Sequence, residues 1–190
     1  MQTNILWSGI EYHSMENCIV DVQSNGIAIH SVLLGFYQHK IYQVDYTLQL
    51  DRHWNVYSCH MQVQLENKKQ TMDLNKKENK WFVNGTYHPE FDGCLDVDIP
   101  LTPLTNSLPI NRLRLETHQE YEIDVLYIDV LEQEIKHVKQ KYKRLSDQVY
   151  HYENIPNDFE ADIQVDTHGF VIDYPQLFKQ TASVQSHYSE

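Results

Sequence analysis

Apolar and polar residues alternate one by one over much of this chain. Between Ile41 and Leu50, Tyr42, Val44, Tyr46, Leu48 and Leu50 fall on one side, and Gln43, Asp45, Thr47 and Gln49 on the other. Between Asn55 and Leu65, Tyr57, Cys59, Met61, Val63 and Leu65 share a side opposite Ser58, His60, Gln62 and Gln64. Successive side chains of an extended strand point to opposite faces, so a period of two predicts strands with one face buried. Asp51-Arg52-His53 is short enough to join these two runs as a hairpin. The alternation recurs in Leu95/Val97/Ile99, Tyr121/Ile123/Val125/Tyr127 and Phe159/Ala161/Ile163/Val165, and more briefly at Cys18/Val20/Val22 and Trp81/Val83. Asn25-Gly26, Asn84-Gly85 and Asp92-Gly93 supply turn chemistry between runs. The count comes to about ten strands and predicts a mainly β, mainly antiparallel domain with one wetted face.

One segment departs from this rule. Leu131, Ile135, Val138, Tyr142, Leu145, Val149 and Tyr152 recur at alternating steps of four and three, a helical stripe. The same residues also fit two strands joined at Ser146-Asp147, with Tyr150 and Tyr152 alternating. Periodicity alone favours the helix. No fixed-period repeat or low-complexity linker divides the chain, so residues 1–180 read as a single domain. The polar stretch Thr181–Glu190 reads as a frayed tail.

Composition narrows the function. With 190 residues the chain can bury a full core without disulfide or metal staples. Its 27 acidic and 15 basic residues leave a net charge of −12, which argues against nucleic acid and against anionic membrane surfaces as partners. No apolar stretch, Val32-Leu33-Leu34 included, approaches the roughly 20 residues of a spanning helix. The N-terminus MQTNILWSGIEY lacks the basic region and apolar run of a secretion signal. Cys18, Cys59 and Cys94 are an odd set without CxxC spacing, which reads as reduced, buried thiols and a cytoplasmic protein. The eleven histidines make no HxH, HxxxH or HExxH motif, and neither GxSxG nor GxGxxG occurs. No metal, cofactor or catalytic residue is therefore assigned.

Candidate chemistry concentrates in DGCLDVDIPLTPLTNSLPINRLRL, Asp92 to Leu115. If Leu95, Val97 and Ile99 face the core, Asp96 and Asp98 project together from the other face, roughly 6–7 Å apart. Such a pair can do acid–base work, hold a hard cation or accept sugar hydroxyls. Each can equally be solvated or paired with an arginine. Pro100, Pro103 and Pro109 interrupt any long strand, and Thr102-Pro103 can open a short helix. Arg112 and Arg114, alternating with Leu113 and Leu115, can clamp an anion or neutralise Asp96 and Asp98. The abundant Tyr residues suit strands and pockets alike.

The stretch TPLTNSLPINRLRL, preceded by GCLDVDI, resembles the signature of a bacterial glycolipid-binding family formerly labelled a domain of unknown function. The resemblance extends upstream through Trp7, Glu11 and Val44–Val63, and downstream through Gln140, Tyr142, Tyr150, Tyr152 and Phe159–Phe178. Leu104 stands where the family favours Phe. The resemblance implies a single curved antiparallel sheet, an open half-barrel with one or two short helices, similar in outline to the lipid carriers of bacterial lipoprotein trafficking. It implies that Gln140–Tyr142 and Val149–Tyr152 are paired strands. It also implies non-catalytic binding of an amphipathic, glycolipid-like or acyl-bearing ligand in the concave face. The polar mouth would draw on Asp96, Asp98, Thr105, Asn106, Arg112 and Tyr142, and the apolar wall on Trp54, Tyr46, Met61 and Phe159. Two other readings stay open. One is an enzyme on a small polar or sugar-like substrate, using Asp96 and Asp98 with Arg112. The other is an interaction module, a homodimer through an exposed sheet edge.

Overall fold

Alternating runs of this kind can bury their apolar face only by joining one curved sheet. The computed structural model describes residues 1–186. Its fifteen strands are β1 (Gln2–Gly9), β2 (Ser14–Gln23), β3 (Gly26–Tyr37), β4 (Lys40–Leu50), β5 (Val56–Leu65), β6 (Lys68–Lys77), β7 (Lys80–Val83), β8 (Thr86–Tyr87), β9 (Asp96–Asp98), β10 (Glu120–Asp129), β11 (Glu134–Arg144), β12 (Val149–Ile155), β13 (Glu160–Val165), β14 (Val171–Tyr174) and β15 (Phe178–Ser186). A 3-10 turn covers Pro89–Phe91, and one α-helix, α1, covers Leu104–Leu113. All strands form one open sheet in the order β8-β7-β6-β5-β4-β3-β2-β1-β15-β14-β13-β12-β11-β10-β9. Every pair is antiparallel except β9–β10, whose strands run parallel.

Fifteen strands replace the expected ten because several carry no usable hydrophobic pattern. β6 buries Leu74 alone, and β15 buries Phe178 alone. Backbone ladders hold such strands, and ladders leave no mark on side-chain periodicity. For the same reason Thr181–Ser186, expected to fray, pairs with β1, with Gln2 opposite Ser186; residues 187–190 lie outside the described residues. The segment 131–153 is strand, as the family resemblance implied and against its helical stripe. Tyr142 faces Tyr152 across the β11–β12 ladder, and Leu145 and Ser146 both donate backbone N–H groups to the Val149 carbonyl at the turn. The stripe's steps of three cross from one strand face to the other: within β11, Ile135 packs on one core cluster while Val138 and Tyr142 pack on the other.

The sheet curls until its two ends approach without forming a ladder. Lys76 Nζ of β6 and Trp81 Nε1 of β7 both donate to the Cys94 carbonyl just before β9, at 2.8 and 3.0 Å. As a result β10 is covered on both faces. Leu126 and Ile128 join a large cluster with Ile5, Trp7, Tyr46, Leu48, Met61 and Trp81. Ile123 and Val125 join a second cluster with Tyr142, Tyr152, Val171 and Phe178.

The proline-rich segment lies inside this curl. In α1 every residue from Leu104 to Ile110 is buried. The Thr102 hydroxyl accepts the Leu104 N–H at 3.0 Å and so opens the helix, one residue before Pro103. Arg114 ends it in the left-handed region, φ 47°, with its N–H returned to the Ile110 carbonyl. The expected Arg112–Leu115 alternation is therefore the last turn of a helix and its cap, not a strand. Pro109 lies within the helix and removes the N–H that would otherwise reach the Thr105 carbonyl.

Candidate functional site

Curling the sheet around α1 leaves a sizeable space. It is half-enclosed, about 460 Å³, on the inner side of β10–β12 and β14–β15. Its floor comes from the segment entering α1 and from β11: Asp98, Thr102, Asn106 and Gln140. Its wall is a run of rings. The Tyr152, Phe159 and Tyr174 centroids are mutually 6.2 Å apart, Phe178 lies 6.2 Å from Tyr174, and Tyr12 lies 5.8 Å from Phe178. Tyr127 and Val138 complete the lining, and Glu11 and Tyr12 reach it from the β1–β2 loop.

The polar floor is pre-arranged. Asp98 accepts the Thr105 hydroxyl at 2.9 Å and the Gln140 amide at 2.7 Å. Asn106 donates its amide to the Tyr142 hydroxyl at 3.0 Å. Burial raises the Asp98 carboxyl above the ordinary carboxylate range, against the lowering effect of the Thr105 and Gln140 hydrogen bonds. Its strand neighbour Asp96 lives differently. Asp96 is 1% exposed and takes both prongs of Arg112, Nε at 3.1 Å and Nη2 at 2.5 Å. The two carboxylates therefore do not face one space, and the arginine expected to clamp a ligand anion is spent inside the fold.

Of the residues expected at the site, Asp98, Asn106 and Phe159 line the cavity. Thr105 and Tyr142 stand behind it, holding Asp98 and Asn106. Tyr46, Met61 and Trp54 belong to the other core cluster, beyond β10. There Tyr46 donates to Glu16 at 2.7 Å, Met61 is sealed, and Trp54 packs edge-on against Phe170. Glu16 accepts Ser31, Tyr46 and Thr102 hydroxyls on one oxygen, and burial raises its carboxyl as well. One cluster away from the cavity could meet a metal: His151, Glu153 and Glu160 bring ligand atoms within 4.8 Å of one another. Glu153 is already paired with Lys141 at 2.8 Å, and His151 with Asp162 at 2.7 Å, so the group is a cross-strand ion ladder.

A family described as "Putative glycolipid-binding" matches residues 4–180. The chain belongs to this family. A solved structure of a DUF1089 family protein from Pseudomonas aeruginosa is 35% identical, with a TM-score of 0.79, over 87% of this chain and 91% of that chain. No curated protein matches.

In this member of the glycolipid-binding family, the segment that carries the family resemblance is the plug that shapes the cavity floor. Sequence reasoning passed over Tyr12, Tyr127, Gln140, Tyr152, Tyr174 and Phe178. Gln140, Tyr152, Tyr174 and Phe178 lie within the stretches of resemblance, so a signal existed. Tyr12 sits in a hairpin loop, where neither periodicity nor motif marks it.

The Asp98 environment carries a stability cost with a defined sign. A carboxyl whose folded-state pKa is raised weakens the fold once pH rises above its unfolded value. Asp98→Asn is therefore expected to raise the urea midpoint at pH 7. The gain should shrink as pH falls toward about 3.9, where the wild-type carboxyl is protonated folded or unfolded. Urea unfolding of both proteins at pH 7 and pH 4 checks this; a gain that grows on acidification would contradict it.

Proposed function

We propose that the chain binds an amphipathic molecule without chemical change, its head group on the Asp98–Asn106–Gln140 floor and its apolar part along the aromatic wall. The observation that carries this reading is the union, in one half-open space of about 460 Å³, of convergent polar groups and a continuous ring surface. Its size falls within the roughly 300–1,000 Å³ of small-molecule sites. Apolar surface buried there contributes about 25 cal/mol per Å². The family description supports a binding role. A glycolipid-like ligand would put sugar hydroxyls against Asp98, Asn106 and Gln140 and its chain against Phe159 and Phe178. The engagement of Asp96 by Arg112 leaves Asp98 without a carboxylate partner, which favours binding over two-carboxylate chemistry.

The site of action we propose is the cytoplasm. Cys18, Cys59 and Cys94 are free and buried, in keeping with a reducing compartment. Among the described residues no helix is long and apolar enough to cross a membrane.

Native mass spectrometry after gentle purification, followed by solvent extraction, tests the reading. The expected result is a co-purifying amphiphile that Val138→Trp displaces, because the indole fills the cavity from β11. Affinity for added octyl-chain amphiphiles should fall at least about tenfold in this variant. Unchanged binding in a folded Val138→Trp protein would place the ligand elsewhere and end the proposal.

A further inference from the structure

Two aspartates two residues apart on β9 receive opposite treatment. Asp96 is given a bidentate arginine. Asp98, at the cavity floor, is given only neutral donors: a hydroxyl from Thr105 and an amide from Gln140. Among the described residues Asp98 forms no ion pair. The lysines that touch the cavity do not supply its charge, because Lys136 is paired with Glu134, and Lys139 with Glu122 at 2.6 Å. A carboxylate removed from water without a counter-charge is costly to keep, and a fold that neutralises its neighbour has the means to neutralise this one.

What faces Asp98 is aromatic. Tyr12, Tyr127, Tyr152 and Tyr174 line the same cavity as Asp98, and Phe159 and Phe178 extend the wall. Ring faces are electron-rich and attract cations, quaternary ammonium groups above all. The chain as a whole, at −12, draws cations from solution. Resting on the amphiphile-binding reading above, we propose that the cavity selects a head group bearing a fixed positive charge, an ammonium or quaternary amine, which pairs with Asp98 and stacks against the surrounding tyrosines. Neutral sugars could use the same hydrogen bonds, but they would leave the carboxylate without its counter-charge.

The experiment compares four probes on the intact protein by isothermal titration, each amphiphile below its micelle concentration: octyltrimethylammonium, octyl glucoside, octanoate, and choline without the chain. The expected result is that octyltrimethylammonium binds at least about tenfold more tightly than octyl glucoside, with octanoate weakest. Asp98→Asn should erase the preference, with octyltrimethylammonium losing at least about tenfold more affinity than octyl glucoside. Choline binding as tightly as its octyl counterpart would keep the charge preference and make the natural ligand a free amine instead of a lipid. Octyl glucoside binding as well as the cation would overturn this inference and leave the amphiphile reading standing. A cation preference that survives Asp98→Asn would overturn it too. Failure of all the octyl probes would remove both readings. The wild-type comparison decides the charge preference by itself, and Tyr174→Leu, expected to weaken the cation more than the glucoside, tests its place.

Discussion

Arg112→Ala is expected to destabilise the protein by about 3–5 kcal/mol, read as a fall in the urea midpoint at constant slope. The loss comes less from the attraction given up than from what stays behind. Asp96 is 1% exposed, and without the guanidinium it remains a charge in a dry site. Lys76 is the other cation nearby, but its ammonium is committed to the Cys94 carbonyl at 2.8 Å. The pair also ties the last turn of α1 to β9, so its loss frees the helix that forms the cavity floor. Arg112→Lys should recover part of the loss, since a point charge replaces a planar fork. The double change Asp96→Leu with Arg112→Met should recover most of it, because removing both charges leaves none buried alone. A cost below about 1 kcal/mol for Arg112→Ala would mean that the pair behaves like a surface ion pair and that α1 is anchored by other contacts.

Trp7→Ala should cost about 3–5 kcal/mol through the cavity it opens, with a further contribution from the acceptor it strands. Trp7 is fully buried in β1, and its indole N–H donates to the Val171 carbonyl of β14 at 2.7 Å. That bond spans β15, which lies between the two strands in the sheet, so it crosses the interior from one core cluster to the other. Trp7→Phe separates the two contributions, keeping much of the ring volume while leaving the carbonyl unpaired. Its expected cost is about 2 kcal/mol, smaller than that of Trp7→Ala. Against a typical total stability of about 5–15 kcal/mol, Trp7→Ala would leave a visibly unfolded fraction on heating. Equal costs for Phe and Ala would assign the whole effect to the hydrogen bond.

Much of the architecture was legible because a half-buried strand writes itself in period two. The Ile41–Leu50 and Asn55–Leu65 runs became neighbouring strands, with Tyr46 opposite Met61. Asn84-Gly85 became a turn with both residues in the left-handed region, φ 48° and 82°. The misreadings have physical causes of their own. The polar strands β6 and β15 are held by their backbones. In 131–153, apolar residues placed on both faces of the strands imitate one helical stripe.

The site was less legible. Leu95 was expected to share the core face with Val97 and Ile99, yet it is 38% exposed, while Cys94 and Asp96 are sealed. Alternation assumes that a strand has one wet face, and β9 has none, because the curl of the sheet covers it on both sides. Tyr46 and Met61 obeyed the alternation, but nothing in a one-dimensional pattern tells which of two cores an inward residue enters.

Local chemistry along the chain was enough to dictate a β protein, the positions of several of its turns, and the opening of a short helix at Thr102-Pro103. Those features depend on neighbours a few residues apart, whose geometry the backbone sets directly. The division into two interior compartments, the separate fates of Asp96 and Asp98, and the meeting of Tyr12, Asn106, Gln140 and Tyr174 around one space depend on how far the sheet rolls before its ends meet. Rolling brings together residues more than a hundred positions apart, and no spacing along the chain encodes the radius of that curl.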